Sequence, residues 1–203
     1  MTPEDLRFYG EFAPALEANE KIMLAEVQRI LDSISTDSET RLAEHIKSRI
    51  KSSGSLCEKL ERQGLPVSAE SGLRDLSDII GLRVVTHFVG DIYTVLEKIE
   101  NSTVWRVVTV KDYIANSKPN GYRSLHVILA LPFGVGGIEE IRTEIQLRTI
   151  AMDCWASLEH QLKYKKNIGN TELIVSELKR CADEMASTDL SMQTIRDLIH
   201  KGD

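Results

Sequence analysis

Across 203 residues the chain carries 42% hydrophobic and 28% charged side chains with a formal net charge of −6, apolar enough for one compact core. No stretch approaches the ~20 apolar residues of a membrane span, and the acidic amino-terminal stretch MTPEDLRFYGEF lacks an apolar signal core, so a soluble, cytoplasmic protein is expected. Cys57, Cys154 and Cys181 are odd in number and widely spaced, with no CxxC or Cys/His pattern, which argues against zinc and for reduced, packed thiols.

Residues 1–40 hold nine acids against three bases, the whole of the net charge, so the remainder is balanced. Within it, residues 41–63 carry six bases against three acids, a local positive field able to attract an anion on an otherwise acidic protein.

Thr2-Pro3-Glu4-Asp5 reads as a helix start with proline in the first turn, and apolar residues recur at helical spacing through Leu31 with a break at Pro14. HIKSRIKS then alternates, Ile46, Ser48 and Ile50 on one parity and Lys47, Arg49 and Lys51 on the other, which predicts a half-buried strand with a basic face. SLCE fits a capping box with Ser55 as N-cap and Glu58 at N3, opening a short helix that Gly64 closes. The first turn of that helix should offer free N–H groups beside Lys51, Lys59 and Arg62.

DIIGLRVVTHF, apolar and rich in β-branched residues, predicts a central strand, followed by a helix over about Asp91 to Ile99. TVWRVVTVKDYI reads as a second strand. KPNGYRSLH reads as a turn feeding a third, with Tyr122, Ser124, His126 and Ile128 on the face opposite Arg123, Leu125, Val127 and Leu129. GVGG separates it from a fourth strand, IEEIRTEIQLRT, in which Arg142, Glu144, Gln146 and Arg148 share a face. From Thr149 an amphipathic helix follows, with Ala151, Trp155, Leu158 and Leu162 on one stripe and Lys163, Lys165 and Lys166 at its end, and the last 35 or so residues also read as helix. The expected architecture is α+β, a sheet flanked by helices, in one domain over 1–203.

Neither common nucleotide fingerprint is present: there is no GxxxxGKS/T loop, and GVGG lies between strands. There is no HExxH, and Glu44-His45 and Glu159-His160 are adjacent pairs whose side chains diverge. Asp78 and Glu144, each tied to a strand, could converge on a Mg²⁺ ion, or could instead be a capping and a salt-bridged residue. Arg49, Lys51, Lys59 and Arg62 could clamp a polyphosphate at a helix N-terminus, or could form a solvated basic face.

Taken in order, RIKSSGSLCEKL, SDIIGLRVV, KDYIANSKPNGYRSLHVIL and TEIQLRTIAMDCWASLEHQLKYK resemble the synthetase domain of the RelA/SpoT homologue family over residues 41–166. The resemblance implies a mixed, mainly antiparallel sheet of the nucleotidyltransferase kind, with helical extensions over 1–40 and 167–203. It implies transfer of pyrophosphate from ATP to the 3′-hydroxyl of GDP or GTP, giving ppGpp or pppGpp and AMP. At 203 residues the sequence is too short to be expected to hold the hydrolase, TGS and ACT regions of long members, and it is similar to the small alarmone synthetases of RelQ or RelP type, generally homotetramers. Alarmone or RNA is then a regulator to expect.

By matching motif, Asp78 and Glu144 would hold Mg²⁺, with Glu144 also the general base. Arg49 and Arg83 would sandwich adenine, Lys51, Ser55, Lys59 and Arg62 would contact the ATP phosphates, and Tyr122 would stack on guanine. Lys118, Asn120, His126 and Gln146 would complete the acceptor side. One departure stands out: the family pattern VKxPxS is here IKSSGS, and Ser53-Gly54 predicts a looser turn. Two other readings are a nucleotidyltransferase that releases pyrophosphate, against which the lack of a partner acid two residues after Asp78 counts, and a catalytically silent module binding guanine nucleotide or RNA.

Overall fold

The computed structural model describes residues 1–34, 41–163 and 171–201. In chain order the elements are α1 (Pro3–Tyr9), a 3₁₀ turn (Gly10–Phe12), α2 (Ala13–Ile34), β1 (Ala43–Ile50), α3 (Ser53–Gln63), α4 (Ala69–Asp75), β2 (Ile80–Thr86), α5 (Val89–Glu100), β3 (Arg106–Asp112), β4 (Leu125–Val135), β5 (Ile138–Thr149), α6 (Ile150–Lys163) and α7 (Thr171–Lys201). No described helix is long and apolar enough to cross a membrane.

The strands form one sheet in the order β1-β2-β5-β4-β3. Among the described residues only β2 and β5 pair in parallel; the other three pairings are antiparallel, so the sheet is mixed and mainly antiparallel, as expected. β2 lies inside the sheet, paired on both edges, but β5 and not β2 holds the middle; β2 is buried apart from Gly81, Arg83 and the open face they share. β4 and β5 form a hairpin whose loop residues, Gly136 and Gly137, both have positive φ, at 58° and 71°, the backbone a two-residue hairpin turn demands.

One face of the sheet carries the core. Leu82 and Val84 of β2, Val127, Leu129 and Leu131 of β4, and Ile141, Ile145 and Leu147 of β5 alternate onto it. Leu16, Met23, Val27 and Ile30 of α2 and Ile92, Val95 and Ile99 of α5 complete the same cluster. Each of these buried side chains contributes about 1.5–3 kcal/mol of burial free energy, and on the strands this fixes register, since a one-residue slip would turn a strand's core side chains outward.

That register lays out the other face. Lys47, Arg83, Gln146, His126 and Lys111 stand side by side across the five strands, and the adjacent rung sets Arg49 beside Gly81 and Gly81 beside Glu144. On α6, Met152 and Trp155 are buried, but Leu158 and Leu162 of the expected apolar stripe are 54% and 49% exposed, because the helix meets the sheet and α7 mainly through its first half. Lys165 and Lys166 lie outside the described residues.

Candidate active site

The site begins where the sheet register places it. Asp78, in the short segment between α4 and β2, and Glu144, near the middle of β5, line one cavity of about 260 Å³ together with Lys47, Arg49, Arg83 and Gln146. A second opening on the same side is lined by Arg49, Arg83, Tyr122 and Arg148 with the α6 residues Glu159 and His160. Arg49 and Arg83 border both.

Each acid is met by its own donors. Lys51 Nζ lies 2.8 Å from Asp78 Oδ2 and Lys59 Nζ 2.8 Å from Oδ1, the second without hydrogen-bond alignment. Burial pushes the Asp78 carboxyl up, but the two lysines outweigh it and hold it below its ordinary value. Glu144 accepts from His126 Nδ1 at 3.0 Å and from Gln146 Nε2 at 2.7 Å. Burial again pushes upward, and these contacts reverse it against a smaller repulsion from Asp78, so Glu144 also sits below its ordinary value.

Around Glu144 the hydrogen bonds close into a ring. Arg148 Nη2 donates to the Tyr122 hydroxyl at 2.8 Å and to Gln146 Oε1 at 3.0 Å, and the Tyr122 hydroxyl meets His126 Nε2 at 2.7 Å. Because Arg148 can only donate, the tyrosine proton is free to point at Nε2, and Nδ1–H then serves Glu144, so both ring nitrogens have a partner. Arg148 is 4% exposed and also reaches Asp153 Oδ1 at 3.0 Å, where Arg83 Nη1 arrives at 3.1 Å. Burial first, then the Arg148 charge, lowers the Arg83 pKa, with Asp153 opposing both. Among the described residues Arg83 Nε is buried without a hydrogen-bond partner, a donor left over beside the cavity.

Tyr122 comes to this ring from a turn rather than from a strand. β4 begins at Leu125, and Lys118–Gly121 is closed by Gly121 N donating to Lys118 O at 2.8 Å and Lys118 N to Tyr122 O at 3.1 Å. The strand expected to start at Tyr122 therefore starts three residues later, since positive φ at Gly121 turns the chain away from the sheet. Lys118 Nζ lies 4.6 Å from the Tyr113 ring centroid and 4.7 Å from that of Tyr122, a cation held over two aromatic faces. Asn120 donates to Glu159 Oε1 at 3.1 Å and accepts from Tyr122 N at 3.2 Å.

Two expectations about α3 are corrected. Its N-cap is Ser52, whose hydroxyl accepts from Ser55 N, so Ser55 sits one turn inside with its own hydroxyl accepting from Ser52 Oγ at 3.0 Å. The first-turn N–H groups are also largely taken: Ser53 N donates to Asp5 Oδ1 at 2.7 Å and Leu56 N to Ser52 O at 2.9 Å. Positive charge at this end of the site is therefore delivered by side chains more than by the helix terminus. Arg62 is exposed on α3 and forms no ion pair among the described residues.

Of the residues singled out from sequence, the structure brings together Asp78, Glu144, Arg49, Arg83, Lys51, Lys59, Tyr122, His126, Gln146 and Lys118, sets Asn120 in the turn that presents Tyr122, and lines neither opening with Ser55 or Arg62. Arg148 and Asp153 were not assigned a role in advance. Arg148 was already on the polar face of IEEIRTEIQLRT by parity; nothing in the pattern marks Asp153, which meets it from the first turn of α6.

Comparison with known proteins matches the same stretch. The model described as "Region found in RelA / SpoT proteins" aligns with residues 48–169. The chain is 42% identical over 154 residues to GTP pyrophosphokinase YwaC of Bacillus subtilis, spanning 75% of this chain and 73% of that protein. It is 36% identical over 154 residues to GTP pyrophosphokinase YjbM of the same organism, spanning 75% and 72%. The crystal structure of small alarmone synthetase 1 from Bacillus subtilis bound to its product pppGpp superposes with a TM-score of 0.80 at 31% identity, covering 92% of this chain and 95% of that one. The matched region contains both cavity carboxylates, the lysines that face Asp78 and the whole hydrogen-bonded ring, and the chain belongs to the RelA/SpoT family.

Proposed function

We infer that this protein is a (p)ppGpp synthetase, a pyrophosphokinase that moves the β,γ-pyrophosphoryl group of ATP onto the 3′-hydroxyl of GDP or GTP. The observation that carries the reading is the pairing of Asp78 and Glu144 on one cavity bordered by Arg49, Arg83 and Lys47, inside the family region. Transfer requires the ribose oxygen to attack the β-phosphorus while the bridge to the α-phosphate breaks and AMP departs. Such chemistry depends on positioning and charge neutralisation rather than on covalent intermediates.

Arg49 and Arg83, bordering both openings, offer guanidinium planes on which adenine can stack, and Lys51 and Lys59 hold the polyphosphate from the Asp78 side. Glu144 takes the 3′-hydroxyl proton. A carboxylate held below its ordinary value is a weak base, so it accepts that proton only as the bond to phosphorus forms, and the ring through His126, Tyr122, Arg148 and Gln146 keeps its oxygens aimed. The acceptor base stacks on Tyr122, displacing the Lys118 ammonium from the ring face toward the acceptor's phosphates.

Mg²⁺ fits this donor set. No group of three His, Cys, Asp or Glu side chains is assembled among the described residues, so a dedicated protein cage is lacking, whereas Mg²⁺ is usually held by one or two carboxylates with substrate phosphates and water. Asp78 and Glu144 would hold it, and the ion would supply charge neutralisation to the phosphates when bound. A homotetramer is supported by the apolar side chains left uncovered on the last two helices, Leu158, Leu162, Leu190, Ile195 and Leu198, each about half exposed or more.

The deciding experiment incubates purified protein with labelled ATP, Mg²⁺ and GDP or GTP and separates the products. AMP together with a 3′-pyrophosphorylated guanosine nucleotide is the expected result. Release of pyrophosphate would assign a nucleotidyltransferase, and unchanged ATP a silent binding module.

A further inference from the structure

The junction of β1 and α3 carries Lys51 and aims Lys59, yet its sequence, Lys51-Ser52 running into Ser53-Gly54 at the first turn of α3, has little stiffness of its own. It is braced from α1, which lies outside the family-matched region. Asp5 is 6% exposed, and each of its oxygens accepts twice: Oδ2 closes the α1 capping box with Thr2 N at 3.0 Å and Thr2 Oγ1 at 2.7 Å, and Oδ1 accepts from Ser53 N at 2.7 Å and Ser53 Oγ at 2.9 Å. One turn further along, the buried Tyr9 donates its hydroxyl to Lys51 O at 2.7 Å. The opposite edge of the same junction is held by Lys51 N donating to Ile79 O at 2.7 Å.

We propose that Asp5 is a positioning residue for the transfer reaction, stapling the first backbone N–H of α3 so that Lys51 and Lys59 keep their aim at the ATP polyphosphate. The inference rests on the function proposed above. Its physical basis is that Ser53 is the N1 residue of α3, where an N–H has no partner within the helix and must find one elsewhere. A chain can solve the same problem by removing the donor, since proline at N1 has no N–H and fixes φ at a helical value. The backbone here would accept it: Ser52, at φ −64° and ψ 149°, already holds the extended conformation that a residue before proline requires. A carboxylate from α1 thus does from outside the junction what a proline would do within it.

This equivalence makes a test that a merely structural Asp5 would not pass. Asp5→Asn and Asp5→Ala should raise the KM for ATP about tenfold while the acceptor KM stays within about twofold. Ser53→Pro alone should also raise it, because the buried carboxylate loses both of its Ser53 donors. Combined with Asp5→Ala, the same proline should recover the ATP KM to within about threefold of the unmodified protein. Hydrogen exchange of the full-length protein over residues 51–60, without nucleotide, should quicken in Asp5→Ala and slow again in the double variant. If Asp5→Asn lowers only the melting temperature and leaves both KM values in place, or if proline fails to recover the Asp5→Ala defect, the staple has no positioning role. Absence of AMP release from the unmodified protein overturns the function and the ATP role with it, whereas unchanged exchange in Asp5→Ala overturns the brace itself.

Discussion

His126 stands between Tyr122 and Glu144, its Nδ1 3.0 Å from the Glu144 carboxylate and its Nε2 2.7 Å from the tyrosine hydroxyl. The imidazole therefore links the residue that would hold the acceptor base to the residue that would take the acceptor's proton. Glu144→Gln replaces an acceptor-only group with one that points an amide N–H₂ at a donor. Transfer should fall by about 10²–10⁴ in kcat with ATP affinity nearly unchanged. Single-turnover AMP release alongside calorimetric binding of a non-transferable ATP analogue measures both, and normal turnover would remove Glu144 as the base.

Stacking and hydrogen bonding separate at Tyr122. Tyr122→Ala should chiefly raise the acceptor KM, by the ~1–3 kcal/mol that a base gains on an aromatic face. Tyr122→Phe keeps the ring but opens the hydrogen-bonded circuit, leaving Arg148 Nη2 and His126 Nε2 without the hydroxyl. It should lower kcat more than it raises KM. Equal effects of the two variants on KM would show that the ring face does not carry the acceptor.

Acid should loosen the site in a defined direction. Both Asp78 and Glu144 have folded pKa values below their ordinary values of 3.8 and 4.5. A depressed acid contributes stability that is fully present above its unfolded pKa and is lost as pH falls through the folded one. Stability should hold from neutral pH down to about pH 5 and then decline. Glu144→Gln removes one of the two groups, so its urea midpoint should fall less steeply over that acid range than that of the unmodified protein. Parallel slopes would mean that Glu144 is not held in its charged form by the fold.

Much of this arrangement was legible in the sequence because it depends on parity. Alternation placed Lys47 and Arg49 on the open face of β1, and Glu144, Gln146 and Arg148 on the open face of β5, and the burial of their neighbours made any other register costly. What could not be read depends on contacts between elements distant in the chain. Ser55 looked like a cap because SLCE satisfies the capping-box rule, yet Ser52, with no acid three residues on, is the cap, and Asp5 holds the N–H that follows it from 48 positions away. β2 looked central because it is strongly apolar, but apolarity reports coverage and not rank in the sheet. Leu158 and Leu162 follow the helical stripe faithfully and are still exposed, since periodicity marks a face without naming what covers it.

The turn that presents Tyr122 is seated on α7, and Gly121 is where the two meet. Its φ is +88°, and a Cβ built on it would lie 2.6 Å from Ala182 Cβ and 3.0 Å from Lys179 Cα. Arg123, two residues on, donates back to Gly121 O at 3.2 Å and pairs with Asp183 at 2.9 Å, so α7 grips the turn on both sides of the glycine. Gly121→Ala should therefore suffer twice, from a strained backbone of about 1–2 kcal/mol and from overpacking of about 1–3 kcal/mol. The second cost can be relieved separately: Ala182→Gly in the same chain removes the nearer clash while the strain remains. The double variant should regain part of the lost stability in urea unfolding, and part of the acceptor KM, without reaching the original values. Full recovery would mean that positive φ at residue 121 costs nothing, and no recovery that α7 does not bear on the turn; either result would detach the carboxy-terminal helix from the placement of the acceptor base.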